Sequence, residues 1–189
     1  MIKIGAVLVA LAAAGPALTG MVAPAVTIEV KGMHLCCNAC NGAATGAVNS
    51  AGAKDAAAAS GTLTFTAAND AAAQKALDKL TAAGFWGTLD SKTLKLTDDS
   101  GTVLGPKAKP VKVSSGTFKG VHNCCDGCNK ALKEAIKGVE GVESDDCAAK
   151  SDKFTVKGAY NPADLIKAIH GAGYHAKLDK ADVIKEAKK

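Results

Sequence analysis

Val26-Thr27-Ile28-Glu29-Val30-Lys31-Gly32-Met33-His34-Leu35-Cys36-Cys37-Asn38-Ala39-Cys40 passes from an alternating apolar/polar run, through a glycine, into a knot of three cysteines. Alternation with period two is the pattern of a half-buried strand, and Gly32 ends it. The same order returns as Thr117-Phe118-Lys119-Gly120-Val121-His122-Asn123-Cys124-Cys125-Asp126-Gly127-Cys128, with each His and Cys displaced by 88 residues. Six of the seven cysteines fall in these two loops. A duplicated His-x-Cys-Cys-x-x-Cys predicts two copies of one thiolate site and an internal repeat of about 70 residues per unit.

Each loop is followed by the same succession of elements. In the first unit, Ala44 and Val48 at i, i+4 spacing predict a helix starting near Cys40. A weakly marked strand over 53–58 follows, then Gly61, a strand carrying Leu63 and Phe65, and a helix from Asp70 with Ala73, Ala76, Leu77 and Leu80 on one face. Ala83-Gly84 stops that helix, and residues 85–89 return as a strand. In the second unit Leu132, Ala135 and Ile136 line the inward side of a helix over 128–137, and a strand follows within 139–148. Residues 153–157 alternate as the next strand. Asn161-Pro162 opens the last helix, a capping side chain followed by proline at the first helical position. Leu165, Ile166 and Ile169 form its buried face, and residues 174–178 close the sheet. Both units read βαββαβ, an α+β class built of two tandem ferredoxin-like domains.

The expected boundaries are a signal peptide over 1–25, a first domain over 26–90, a connecting stretch over 91–111, a second domain over 112–179 and a polar, helical tail over 180–189. Lys3, the uncharged apolar run over 4–14, Gly15-Pro16 and Ala23-Pro24-Ala25 follow the order of an export signal with an Ala-x-Ala cleavage site. That run is too short to span a bilayer well, so no stable membrane insertion is expected. The product is expected to be exported, periplasmic or extracellular, and monomeric. In the connection, Leu94 and Leu96, the turn Asp99-Ser100-Gly101 and Val103-Leu104 predict a small hairpin, and Pro106-Lys107-Ala108-Lys109-Pro110 a stiff linker.

The net charge of +5 rests on lysine alone, because the chain contains no arginine. Bidentate arginine contacts are the usual means of reading phosphate and guanine, so nucleic acid is not the expected partner. Lysines interleaved with acids, as in Lys130-Ala131-Leu132-Lys133-Glu134, mark a solvated helix face. Cysteines at a helix start meet unpaired backbone N–H groups and the positive end of the dipole, which favour thiolate. Thiolates select soft or borderline ions: Cu(I), Zn(II), Hg(II) or Cd(II).

The βαββαβ order with Cys-x-x-Cys between first strand and first helix resembles the heavy-metal-associated domain family, which includes copper chaperones, domains of copper-transporting ATPases and exported mercury-binding proteins. The likeness extends to Gly138-Val139-Glu140-Gly141-Val142 and Gly171-Ala172-Gly173-Tyr174. The family's motif is Gly-Met-x-Cys-x-x-Cys. Gly32-Met33 matches its start, Val121 replaces the methionine in the second copy, and each cysteine pair arrives two residues late behind an additional cysteine. The resemblance implies a soft-metal site on Cys37, Cys40, Cys125 and Cys128, with Phe85 and Tyr174 as the aromatics near the loops. Cys36, Cys124, His34 and His122 are not family ligands; they could complete a shell of three cysteines and a histidine, which would suit Zn(II), or the histidines could be loop residues beside the site. Adjacent cysteines do not easily aim both sulfurs at one ion.

The expected activity is capture or transfer of a soft metal, copper foremost and zinc or mercury next, by ligand exchange with a donor or acceptor protein, without catalysis. Two rivals stand beside it: a thiol–disulfide oxidoreductase using Cys-x-x-Cys, and a secreted module braced by loop disulfides. Cys147 is expected to be a buried free thiol, His170 and His175 ordinary surface or helix-end residues, Phe85, Trp86 and Tyr174 core, and Asp145-Asp146 a solvated turn. The alanine-rich first unit is expected to be the less stable and the weaker site.

Overall fold

The computed structural model describes residues 24–103 and 111–184. The first half runs β1 (Val26–Lys31), α1 (Asn38–Asn49), β2 (Lys54–Ala59), β3 (Thr62–Ala67), α2 (Asp70–Ala82) and β4 (Thr88–Leu89). The second runs β5 (Val113–Lys119), α3 (Asp126–Lys137), β6 (Ser144–Asp145), β7 (Lys153–Tyr160), α4 (Pro162–Gly171) and β8 (Lys177–Val183). Each half is a four-stranded antiparallel sheet, ordered β2-β3-β1-β4 and β6-β7-β5-β8. This is the α+β, ferredoxin-like arrangement expected from the repeat. The signal peptide and the Lys/Pro linker fall mostly or wholly on residues outside those described.

Alternation decides which face carries the helices. In β1 Ile28 and Val30 point inward, and in β3 Leu63, Phe65 and Ala67 do. Cys40, Ala44 and Val48 of α1 and Ala73, Ala76, Leu77 and Leu80 of α2 cover them. The second core is bulkier: Phe118, Phe154, Val156 and Tyr160 from the sheet meet Leu132, Ile136, Leu165, Ile166 and Ile169 from the helices. Asn69 accepts a hydrogen bond from Ala72 N (2.9 Å) and Asn161 one from Ala163 N (3.0 Å), so α2 and α4 start on capping side chains.

Several expectations fail for identifiable reasons. Residues 91–103 form no hairpin. Residues 93–97 lie along α2 as an irregular strap, because Gln74 and Asp78 capture Lys95 and Thr97, Asp70 accepts from Thr93, and Leu94 is buried. Asp99 and Ser100 then bond to His175 and Leu178 of the second half. Residues 180–183 are not helical but extend β8, which pairs with β5 from Val113 to Lys119. Phe85 does not begin β4; it forms an isolated antiparallel bridge with Tyr174 of the other half. Asp145 is no solvated turn, since Lys133 Nζ reaches its carboxylate at 2.5 Å and Cys147 N donates to it at 3.0 Å. Burial alone would raise that carboxyl, but these two partners outweigh it and hold it below the usual range.

Candidate metal centre

Both loops are strand-to-helix turns, and the cysteine before each helix fixes where its sulfur points. Cys37 and Cys125 are the N-caps of α1 and α3, in extended conformation (φ −154° and −151°), and neither side chain caps its helix. Cys37 Sγ faces the N–H groups of Ala39 and Cys40, and the sulfurs of Cys37 and Cys125 lie 3.4 and 3.7 Å from those of the fully buried Cys40 and Cys128.

The two loops meet. Gly84 and Gly173, each just past a helix end and each at positive φ (85° and 84°), pass so close to the opposite loop that a Cβ would lie 2.3 Å from His122 N and from His34 N respectively. Backbone bonds fasten this contact: His34 N donates to Gly173 O (3.3 Å), Trp86 N to the same oxygen (3.1 Å), and His175 N to Gly84 O (2.9 Å). With the halves so apposed, six sulfurs form one connected cluster.

The connections cross between halves. Cys36 Sγ lies 3.5 Å from Cys125 and 3.4 Å from Cys128, while Cys125 and Cys128 are 3.7 Å apart. Reciprocally, Cys124 Sγ lies 3.7 Å from Cys37 and 3.4 Å from Cys40, which are 3.4 Å from each other. Each trio thus takes a Cys-x-x-Cys pair from one half and the additional cysteine from the other. Cys40 and Cys128, 3.5 Å apart, join the two trios. Neighbouring Cys36 and Cys37 fall in different crossed trios, although Cys36 Sγ also lies 3.8 Å from Cys40 and Cys124 Sγ 3.7 Å from Cys128 within their own loops. Each crossed trio draws on both loops, while Cys36, Cys37 and Cys40 of the first loop also lie within 4.8 Å of one another, the self-contained grouping expected for each half.

These distances are far from an S–S bond of ~2.05 Å, and all seven cysteines are free thiols here. Three sulfurs about 2.3 Å from one ion would stand roughly 4.0 Å apart if trigonal and about 3.8 Å if tetrahedral. The cluster lies a few tenths of an ångström inside that spacing.

His34 and His122 complete the pattern. A ring nitrogen of His34 groups with Cys36 and Cys128, and one of His122 with Cys40 and Cys124, all ligand atoms in each group lying within 4.8 Å of one another. Each ring is held by an aromatic of the other half: His34 stacks on Tyr174 (4.6 Å, 22°) and His122 on Phe85 (4.4 Å, 26°). Each Nε2 is buried without a hydrogen-bond partner. Burial lowers both imidazole pKa values, so the rings are neutral and able to donate a lone pair. A buried ring nitrogen without a partner, on a ring grouped with two sulfurs, is a position a cation satisfies. Tyr174 Oη donates to Cys128 O (3.0 Å), while Met33 and Val121 are buried at the loop bases.

The thiols are not alike. Backbone N–H groups of Cys40 and Ala39, with the Cys40 side chain, pull Cys37 down to about 6. Burial and surrounding thiols push Cys36 and Cys124 well up. Cys147, buried elsewhere, is likewise pushed up by desolvation, in keeping with a packed free thiol. Sequence reasoning missed His170 and His175. His170 is a helix-end residue as expected, in the last turn of α4, but His175 is buried, and the two form a contact pair at the junction of the halves that only the position of His175 next to Tyr174 hinted at.

Residues 119–175 match the heavy-metal-associated domain family model. Heavy metal-associated isoprenylated plant protein 37 of Arabidopsis thaliana is 41% identical over 70 residues, covering 37% of this chain and 19% of that protein. The chain spans less than half the length of the curated relatives it matches. Among solved structures, oxidized MerP from Ralstonia metallidurans CH34 is 26% identical over 35% of this chain and 96% of its own, with a TM-score of 0.33. The copper(I)-loaded first domain of the human copper chaperone for SOD1 is 20% identical over 36% of this chain and 96% of its own, with a TM-score of 0.33.

Proposed function

We propose that this chain captures soft metal ions in one centre shared by its two loops and passes them to a partner protein by thiolate exchange. The convergence of six sulfurs with two unpartnered imidazole nitrogens carries this reading. Two ions fit it, one held by His34, Cys36, Cys125 and Cys128, the other by His122, Cys124, Cys37 and Cys40. Sulfur-rich, three- to four-donor sites favour Cu(I) and then Zn(II), with Hg(II) as a toxic mimic. Cu(I) is the proposed cargo, and the proposed setting is outside the cytoplasm, after export. No helix among the described residues is long and apolar enough to cross a membrane. Exchange would begin at Cys36, the exposed thiol of the cluster, and no chemical transformation of the ion is required. Binding displaces thiol protons, so affinity falls as pH falls.

Native mass spectrometry of the reduced chain titrated separately with Cu(I) and Zn(II) tests this. Two Cu(I) per chain, retained against a moderate competitor, support the reading; no uptake of either ion overturns it. One observation favours a second reading: the low pKa of Cys37 beside Cys40 suits a thiol–disulfide exchanger. Insulin reduction by the metal-free chain, lost in Cys37→Ser, would establish that alternative.

A further inference from the structure

A second cluster of ligating groups lies at the junction of the halves, apart from the sulfurs. His170 Nε2 and His175 Nδ1 stand 3.0 Å apart, and a carboxylate oxygen of Asp98, whose Oδ1 accepts from Ser100 N, lies within 4.8 Å of a nitrogen of each ring. His170 comes from the end of α4 and His175 from the turn before β8, while Asp98 directly follows the strap over α2. From geometry and donor type, we infer that Asp98, His170 and His175 form a second metal site, for a borderline divalent ion of the Cu(II) or Ni(II) class.

The surroundings are those of a prepared site. Asp99 Oδ1 accepts from His175 Nε2 at 2.7 Å and is itself ion-paired with Lys177, an arrangement that fixes the ring and leaves Nδ1 facing His170. The indole of Trp86 stacks flat on His170, 3.7 Å away at 3°. Because His175 donates through Nε2, its Nδ1 is an acceptor and His170 supplies the proton between them. Metal binding requires that proton to shift from Nε2 to Nδ1 of His170; both rings stay neutral and no net proton is released. Burial holds both histidines below their usual pKa, His170 at about 4, so neither must first lose a charge.

Geometry selects the ion. Bonds of about 2.05 Å to two nitrogens 3.0 Å apart subtend roughly 95°. That is a cis angle of a tetragonal ion and is tighter than tetrahedral zinc prefers. Nitrogen and oxygen donors suit Cu(II), as the thiolates suit Cu(I), so one chain would present separate sites to the two oxidation states.

Trp86 is the only tryptophan, and its contact with His170 makes it a built-in reporter. The full chain, its loop thiols first saturated with Ag(I), which does not reduce Cu(II), is titrated with Cu(II). Saturable quenching of Trp86 by one equivalent, with a tetragonal paramagnetic resonance signal coupled to two nitrogens, is expected. His170→Gln should abolish both. Asp99→Asn should weaken binding about 10- to 100-fold, and Asp98→Asn, an exposed change that spares the packing, about 10-fold. No saturable quenching, or equal Cu(II) affinity in His170→Gln, would show the pair to be only a hydrogen-bonded clamp between the halves and would overturn the inference. Neither outcome bears on Cu(I) at the cysteines.

Discussion

His34 shows how a single side chain can be fixed by packing yet left chemically unfinished. Its ring stacks on Tyr174 while Nε2 stays buried and unpaired. Such an atom costs about 1–3 kcal/mol unless a partner arrives. His34→Phe keeps the stack and removes the nitrogen, so the metal-free protein should gain about 1 kcal/mol in denaturant unfolding. Its Cu(I) affinity should fall about tenfold, or ~1.4 kcal/mol; unchanged affinity would remove His34 from the donor set. Cys37 makes a separate prediction. With its pKa near 6, alkylation of the metal-free protein followed by peptide mass mapping should show Cys37 half-reactive near that pH and fading below it, as the thiol form returns. Cys36 and Cys124, pushed well up, should stay slow through neutral pH.

The helix starts and helix ends, more than their middles, build the centre. Cys37 and Cys125 sit where α1 and α3 begin, and Gly84 and Gly173 where α2 and α4 finish. Gly173→Ala places a methyl 2.3 Å from His34 N and also imposes a side chain on a left-handed backbone, itself costing roughly 1–2 kcal/mol. The variant should lose at least about 2 kcal/mol, and Tyr174 should lose its stacking on His34. A drop in thermal midpoint with reduced Cu(I) stoichiometry is expected; unaltered binding would mean that the halves need not touch. Much of this level was legible beforehand. Asn161-Pro162 announced α4, and Leu63/Phe65 announced β3. The strap over residues 93–97 was not, because its order comes from Gln74 and Asp78, whose bonding no local pattern records. Nor was the length of β8, whose polar residues are extended only because β5 offers them an edge.

At the scale of the whole molecule, repetition in sequence became pairing in space. The two loops could be read as equivalent, and their eight donors named, from an offset of 88 residues alone. That each loop finishes the other's site could not be read, since it depends on the close pass of Gly84 and Gly173 and on the Phe85–Tyr174 bridge. The additional cysteine of each loop meets the other loop's Cys-x-x-Cys pair across that junction. Two triple variants separate shared from independent centres. Cys36→Ser/Cys125→Ser/Cys128→Ser empties one crossed trio and leaves the other whole; Cys36→Ser/Cys37→Ser/Cys40→Ser empties one loop and leaves neither trio whole. Cu(I) bound per chain, measured in both under one competing ligand, is the most direct test of the shared centre. One ion held at wild-type affinity by the first variant and none by the second is the predicted result, whereas one tightly held ion in the loop-emptied variant would contradict it.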